Sequence, residues 1–460
     1  EYVTWIKFKI HHLAYYLDPF IFADPSTARY ALNRFEGLFW ENNGYMGVLP
    51  LVFAFFALKF INKSKKILFF FGLIIFWLLF SLGWMFFLYG MPLFSSFRVP
   101  QRSLFIINLF IAILAGFGME KIMEFCSNTL KRLRIPVNFA ASSLVLILFS
   151  NLYFLLTPYN GVLEAGKWLK EPETASFLKE KLGEGRIYSI GWEEDWKRVY
   201  YNESKGWRSE KAEKLLATRA LLNPNGNMVY SIPSADGYAG RLTKRFNFLN
   251  EEISKGILEE KDIVKVSTSS GKLLSMQGVK YIVSTKPINS DQFKKVYDYI
   301  EEKSKSHFWI YENSEYLGRV YPVTGYNLVL SDSVFEKTLS SDEFNPKTTA
   351  LVETVVPQAS FSGQVKISGL ESKNSHLKFN TSSPDTGFLV IADSFYPGWK
   401  ADIDGNKTSI LPVNINSRGI IVPPGEHKVT LSYAPESLKK GGFISLAGLI
   451  FLIGLVSKFF

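Results

Sequence analysis

Residues 393–405 read DSFYPGWKADIDG. Trp399, Ala401 and Ile403 alternate with Lys400, Asp402 and Asp404, so the first three share one face of a strand. Asp404-Gly405 closes it with a hairpin signal, because a type I′ turn needs positive φ angles that Asp and Gly accept. The same period of two recurs around this stretch in QVKIS, HLKFN, GFLVIAD, GIIVP and HKVTLSY. These runs are separated by Gly, Pro, Asn and Asp at the spacing of an all-β sandwich, with Pro423-Pro424-Gly425 as a second turn. A jelly-roll-like sandwich is expected over 324–438. Beside a Pro-Gly bend, Trp399 reads as a core residue rather than a sugar platform, since a ring covered on both faces cannot stack on a ligand.

Upstream the composition is different. The 460-residue chain has 16% aromatic residues, 40 of them Phe, and a mean hydropathy just above zero. The excess is concentrated in apolar runs over Tyr45 to Ile61, Ile67 to Tyr89, Leu104 to Met119, Val137 to Thr157 and Gly442 to Val456. Crossing ~30 Å of hydrocarbon takes about 20 apolar residues. The second and fourth runs meet that length, and the third does so if Arg102 and Lys121 snorkel. Five membrane helices are expected, four of them within 45–157 and the last at 439–460.

The net charge of +10 is placed for topology, and no nucleic-acid partner is expected. Lys63, Lys65 and Lys66 follow the first run, and Lys121, Lys131, Arg132 and Arg134 follow the third. Basic residues concentrate in cytoplasmic loops, which puts both connections inside and the long segment Pro158 to Lys440 outside. Lys439 and Lys440 run mildly against that rule, in which long translocated domains weigh little. The one cysteine, Cys126, falls in an expected cytoplasmic loop and excludes a disulfide framework or a cysteine metal site. The chain opens on Glu1 without a signal segment, so a longer protein with further membrane helices upstream is expected.

Residues 1–44 are amphipathic and aromatic, an external or interfacial segment. From 158 to 323, helical patterns (EAGKWLKEPETASFLKEKLG, WRSEKAEKLLATRALL) alternate with short strands (RIYSI, VKYIVST, HFWIYE, RVYPV), giving an extracytoplasmic α/β domain. No nucleotide-binding glycine pattern follows any of these strands, and no Gly-x-Ser-x-Gly element marks a hydrolase. The fold class is thus a multi-pass α-helical membrane protein, with an extracytoplasmic α/β domain, a β-sandwich and a C-terminal transmembrane helix.

Several stretches together resemble one family: ENNGYMGVLPLVFAFFAL, FRVPQRSLFIINLFIAILAGFGME, GVKYIVS, YENSEYLGRVYPV and SFYPGWKADIDG with SRGIIVPPGEHKVTLSYAP. They look like the C-terminal two thirds of the bacterial YfhO membrane proteins, a family similar to the GT-C glycosyltransferases. The resemblance implies a multi-pass enzyme of the bacterial cytoplasmic membrane that takes a sugar from a polyprenyl-phosphate donor. It would glycosylate a cell-envelope polymer such as teichoic acid on the outer face. In GT-C enzymes an acid in the first external loop is the usual base, and that loop would precede Glu1.

Such transfer needs a base for the acceptor hydroxyl and cations for the phosphate leaving group. Arg98 and Arg102, in the loop before the third run, have guanidinium forks that match phosphate; the plain alternative is anchoring to lipid headgroups. Glu41 and Tyr45 either line the same cavity or cap a helix end. In NPNGNMVYSIPSADGYAGRLTKRF, Asp236, Tyr238 and Arg241 either contact an acceptor sugar or belong to a structural connection. His11 and His12 point about 100° apart on a helix and make a poor metal pair. Asp18, Asp24 and Glu36 have no spacing that marks a base. No metal or other cofactor is expected. Two other functions remain open: a membrane-anchored glycan-binding module without catalysis, and a lipid-linked sugar transporter. The second would need polar or broken helices at mid-membrane.

Overall fold

The computed structural model describes residues 8–22, 24–27, 39–91, 94, 99–157, 159–160, 163–193, 216–239, 242–301, 305–341, 343–356, 360–373 and 375–456. Two compact units emerge; among the described residues one runs to Glu164 and the other starts at Ala165.

The first unit is helical. After a 3-10 segment Ile10–Tyr16 and a single turn Phe39–Asn42 come α1 (Val48–Leu58), α2 (Lys65–Ser81), α3 (Leu104–Arg132) and α4 (Val137–Leu156). Ser64 caps α2 by accepting from the Ile67 N–H, filling one of the orphan donors of a helix start. Small residues set the packing between α1 and α3: Ala54, Ala57 and Ala115 are buried with Leu114. Gly118 lies so close to α1 that an added Cβ would stand 1.8 Å from the Phe53 carbonyl oxygen. With no water to drive association in lipid, close backbone approach through small side chains is how such helices gain contact.

Among the described residues, three helical stretches are long and apolar enough to cross a membrane: Pro100–Arg132, Val137–Leu156 and Glu436–Gly454. The first two expected spans are shorter than the sequence indicates. α1 has 11 residues and α2 has 17, about 16 and 25 Å at 1.5 Å per residue. Gly47 precedes α1 and Gly83 follows α2, both at positive φ (92° and 76°), a left-handed backbone that a helix cannot continue. The third run is longer than expected, because the helix continues through the polar end of the segment. Lys121, Cys126, Lys131 and Arg132 therefore sit on α3 and not in a loop. A Lys121–Glu124 pair at 2.7 Å supports that last portion.

In the second unit, β1 (Arg186–Ile190), β4 (Val279–Ser284), β7 (Ser306–Asn313) and β6 (Phe293–Glu301) form a sheet in that order. β1 and β4 are parallel, the other pairs antiparallel. Both faces are covered. Ala175 and Leu178 of α5 (Glu173–Lys181) pack with Ile187, Val283 and Ile310. On the other face Leu249 and Ile253 of α6 (Lys244–Lys255) and Leu273 and Leu274 of α7 (Thr268–Met276) pack with Ile282. A small sheet of β2 (Ile257–Glu259), β3 (Val264–Val266) and β5 (Ile288–Asn289) lies beside it in the chain.

The sandwich follows. One sheet has the order β8 (Val320–Val323), β13 (Gly387–Ile391), β17 (Ser417–Val422), β16 (Leu411–Val413), β10 (Thr349–Val352), β9 (Gly325–Leu328). The other has β11 (Lys366–Lys373), β12 (His376–Ser383), β18 (Gly425–Tyr433), β14 (Trp399–Ile403), β15 (Asn406–Thr408). RVYPV, read as the last α/β strand, is β8 and pairs with β13. Leu389, Ile391 and Ile420 face Phe379, Val429 and Leu431 across the core. The alternate residues of β13, Phe388 and Val390, are buried in a second cluster with Tyr321 and Val352, which is why this strand is apolar at every position. The hairpin forms as expected: Ile403 pairs with Asn406 across Asp404 and Gly405 at φ 51° and 83°. The helix α8 (Asp332–Leu339) lies between β9 and β10 in the chain, and α9 (Glu436–Val456) follows β18.

Candidate functional site

In the first unit the sequence places Pro100 at the start of a 3-10 turn, Pro100–Ser103, that runs directly into α3. Proline is pre-organised for that position. Arg102 there meets Glu41 of the Phe39–Asn42 turn. Its Nε donates to both carboxylate oxygens at 3.0 and 3.1 Å, and Nη2 to Oε1 at 2.7 Å. Two residues expected near one cavity are thus brought together, but as a bidentate pair, with the guanidinium fork occupied by the carboxylate. Tyr45 is close in sequence and separate in role: its hydroxyl donates to Asn151 of α4 at 3.2 Å. Arg98 and Glu36 lie outside the described residues. His12 is buried, and its Nδ1 accepts from the Lys9 N–H at 3.1 Å, a local structural bond.

Beside this pair are polar groups the sequence did not single out. Gln101 is 0% exposed, and neither end of its amide has a hydrogen-bond partner among the described residues. The same holds for the Tyr16 hydroxyl and the Asn108 side-chain oxygen. Gln101 and Asn108 are seven residues apart, two helical turns on one face. Asn108 Nδ2 donates to the Gly44 carbonyl at 3.2 Å, and Gly44 is pressed against the Tyr16 phenol. Each buried polar atom without a partner costs about 1–3 kcal/mol. Tyr16 also lines an apolar cleft of about 330 Å³ with Leu51, Ile74, Ile107 and Leu114. A sequence signal existed for one of them: Asn108 is the amide inside LFIINLFIAIL, and polar residues in such helices are costly and tend to serve function.

In the second unit, Asp236 closes a local structure. It accepts from the Ser189 N–H at 2.9 Å and from the Ser234 hydroxyl, holding the loop against β1. Burial pushes its carboxyl up to about 6, against the lowering effect of those bonds. Tyr238 is held by its backbone, donating to Asn225 Oδ1 at 3.2 Å and accepting from Asn225 Nδ2, with its ring exposed. Arg241 lies outside the described residues.

A buried charge cluster of this unit begins at the first residue of DSFYPGWKADIDG. Asp393 accepts from Arg186, from Arg319 at 3.2 Å, and from Arg418 Nη2 at 2.9 Å. Burial pushes the carboxyl up, and the three guanidiniums more than reverse this, leaving it at about 2. Burial dominates for Arg418, lowering it to about 10. Arg418 lies with its guanidinium carbon 3.9 Å from the Trp399 ring centroid. The cluster ties β1, the β8 end and β17 together. Models of known families, curated proteins and solved structures give no match to this chain.

Proposed function

We propose that this chain is the C-terminal portion of a bacterial membrane glycosyltransferase of the YfhO kind. It would move a sugar from a polyprenyl phosphate to a cell-envelope polymer such as teichoic acid, on the outer face of the cytoplasmic membrane. The observation that carries the reading is a set of buried polar groups without a hydrogen-bond partner among the described residues, those of Gln101, Tyr16 and Asn108: Tyr16 lines the apolar cleft, and Gln101 precedes Arg102 of the Glu41–Arg102 pair. An apolar cleft in a membrane helix bundle suits a prenyl chain, and unsatisfied amide and phenol groups suit the polar end of the same molecule. A donor phosphate competes with Glu41 for the Arg102 fork. Once it wins, the guanidinium holds the leaving phosphate, and the freed carboxylate can take the acceptor hydroxyl proton as the new glycosidic bond forms and the sugar–phosphate bond breaks.

The test uses the full protein in membranes with a labelled polyprenyl-phosphate sugar. Arg102→Ala and Glu41→Gln are expected to cut transfer by roughly 10²-fold or more, the scale of losing one charged group in the transition state. Gln101→Leu separates binding from folding: removing an orphaned amide should leave the fold as stable or more so, while KM for the donor rises. Wild-type transfer by both Arg102→Ala and Gln101→Leu would show that the donor binds elsewhere.

A further inference from the structure

The Pro-Gly bend of Tyr396-Pro397-Gly398 is clamped onto the end of β18. Gly398 has φ 110°, its carbonyl accepts from the Ala434 N–H at 2.9 Å, and an added Cβ would stand 2.9 Å from Pro435. Directly after it, Trp399 pairs with Tyr433 in the β14–β18 register, ring centroids 5.4 Å apart. Trp399 is not enclosed as the sequence reading expects. It is half-buried, covered by the Arg418 guanidinium and at the margin of the sandwich core.

The same residue lines a cleft of about 380 Å³ at this end of the sandwich, with Tyr396, Lys400, Lys407 and Thr408. Tyr396 is 48% exposed, and Lys400 and Lys407 are both exposed. Arg418 is itself 1% exposed and fixed by Asp393, so the indole is held in one orientation before any ligand arrives. A rigid aromatic ring with an exposed phenol beside it suits the apolar face of a sugar ring. Two ammonium groups at the rim, with no acid among the cleft residues, select against a neutral ligand and for an anionic one.

We propose that this cleft, formed by Trp399, Tyr396, Lys400 and Lys407, binds an anionic glycan, a chain of sugar rings carrying phosphate or carboxylate groups. The site is independent of the transfer reading. It binds without chemistry, and none of its residues belongs to the Glu41–Arg102 constellation.

The experiment is calorimetric titration of the full chain in detergent with three probes: a glucosylated glycerol-phosphate oligomer, a neutral maltotetraose, and inorganic polyphosphate. Saturable binding of the first, with the other two at least tenfold weaker, is expected. Trp399→Ala risks the fold because Arg418 loses its stacking partner, so the deciding variants are Trp399→Phe, Tyr396→Ala and Lys407→Glu. Tyr396→Ala should weaken the glycan about threefold to tenfold, the range of one aromatic contact. Lys407→Glu should weaken it more at low salt than at high salt. Equal binding of polyphosphate, no glycan binding, or unchanged affinity in Tyr396→Ala and Trp399→Phe would each overturn the proposal.

Discussion

At the scale of single residues, Asp393 has the largest consequence. One carboxylate serves three guanidiniums in a buried setting, and removing it leaves buried cations without a counter-charge. Breaking such a group typically costs about 3–5 kcal/mol. Asp393→Asn should therefore lower the stability of the second unit by that order at pH 7, read from denaturant unfolding. The pH dependence has a defined sign. The folded carboxyl sits at about 2, below its ordinary 3.8, so its contribution is fully present above pH ~4 and fades as pH falls toward 2. Asp236 works in the opposite sense: with its carboxyl pushed up to about 6, its contribution is present below pH ~4 and lost as pH rises toward 6. The acid limb of the unfolding profile should flatten in Asp393→Asn and persist in Asp236→Asn. An unchanged acid limb in Asp393→Asn would remove the guanidinium cluster as its cause.

At the scale of elements, the α1–α3 contact turns on Gly118. A β-branched side chain there meets the Phe53 carbonyl at under 2 Å, and backbone cannot step aside as a side-chain end can. Gly118→Val should cost about 1–3 kcal/mol, the range for overpacking, seen as a lower melting midpoint in detergent. Gly116→Val, whose Cβ meets nothing within 4 Å, is the control that carries the same helix propensity, and an equal loss there would deny the contact its role. Elements whose pattern is local were legible in the sequence. HLKFN, GFLVIAD and HKVTLSY alternate or run apolar and became β12, β13 and β18. FKKVYDYIE did not stand out, because Lys294, Lys295 and Asp298 spread charge along what is β6. RVYPV was legible as a strand but not in its partner, since pairing with β13 is a long-range choice that local period does not encode. Helix ends were misplaced where a glycine at positive φ, as at Gly83, interrupts an unbroken apolar run.

For the whole molecule, the charged half of the candidate site was legible and the neutral half was not. Glu41 and Arg102 flank apolar runs and attract notice, whereas Gln101 and Tyr16 matter only because folding buries them without partners among the described residues. Orientation is the next quantity to fix. The short connections after α1 and after α3 are both basic, with Lys59 and Lys63 at one and Arg134 at the other, directly after Lys131 and Arg132 in the last turn of α3, so both are expected on the cytoplasmic side and the sandwich outside. With 11 residues, α1 reaches about half the hydrocarbon thickness, which makes the Lys63 connection the discriminating position. In a Cys126→Ser background, an impermeant maleimide applied to intact cells should label Ser372→Cys on β11. Leu133→Cys and Lys63→Cys should react only after permeabilisation. Protection of Leu133→Cys with labelling of Lys63→Cys from outside would mean that α1 and α2 dip into the membrane and return. The proposed donor site would then belong to a re-entrant hairpin instead of a spanning pair. Labelling of Leu133→Cys together with protection of Ser372→Cys would place the second unit in the cytoplasm, where no cell-envelope acceptor could reach it, and would end the transferase reading.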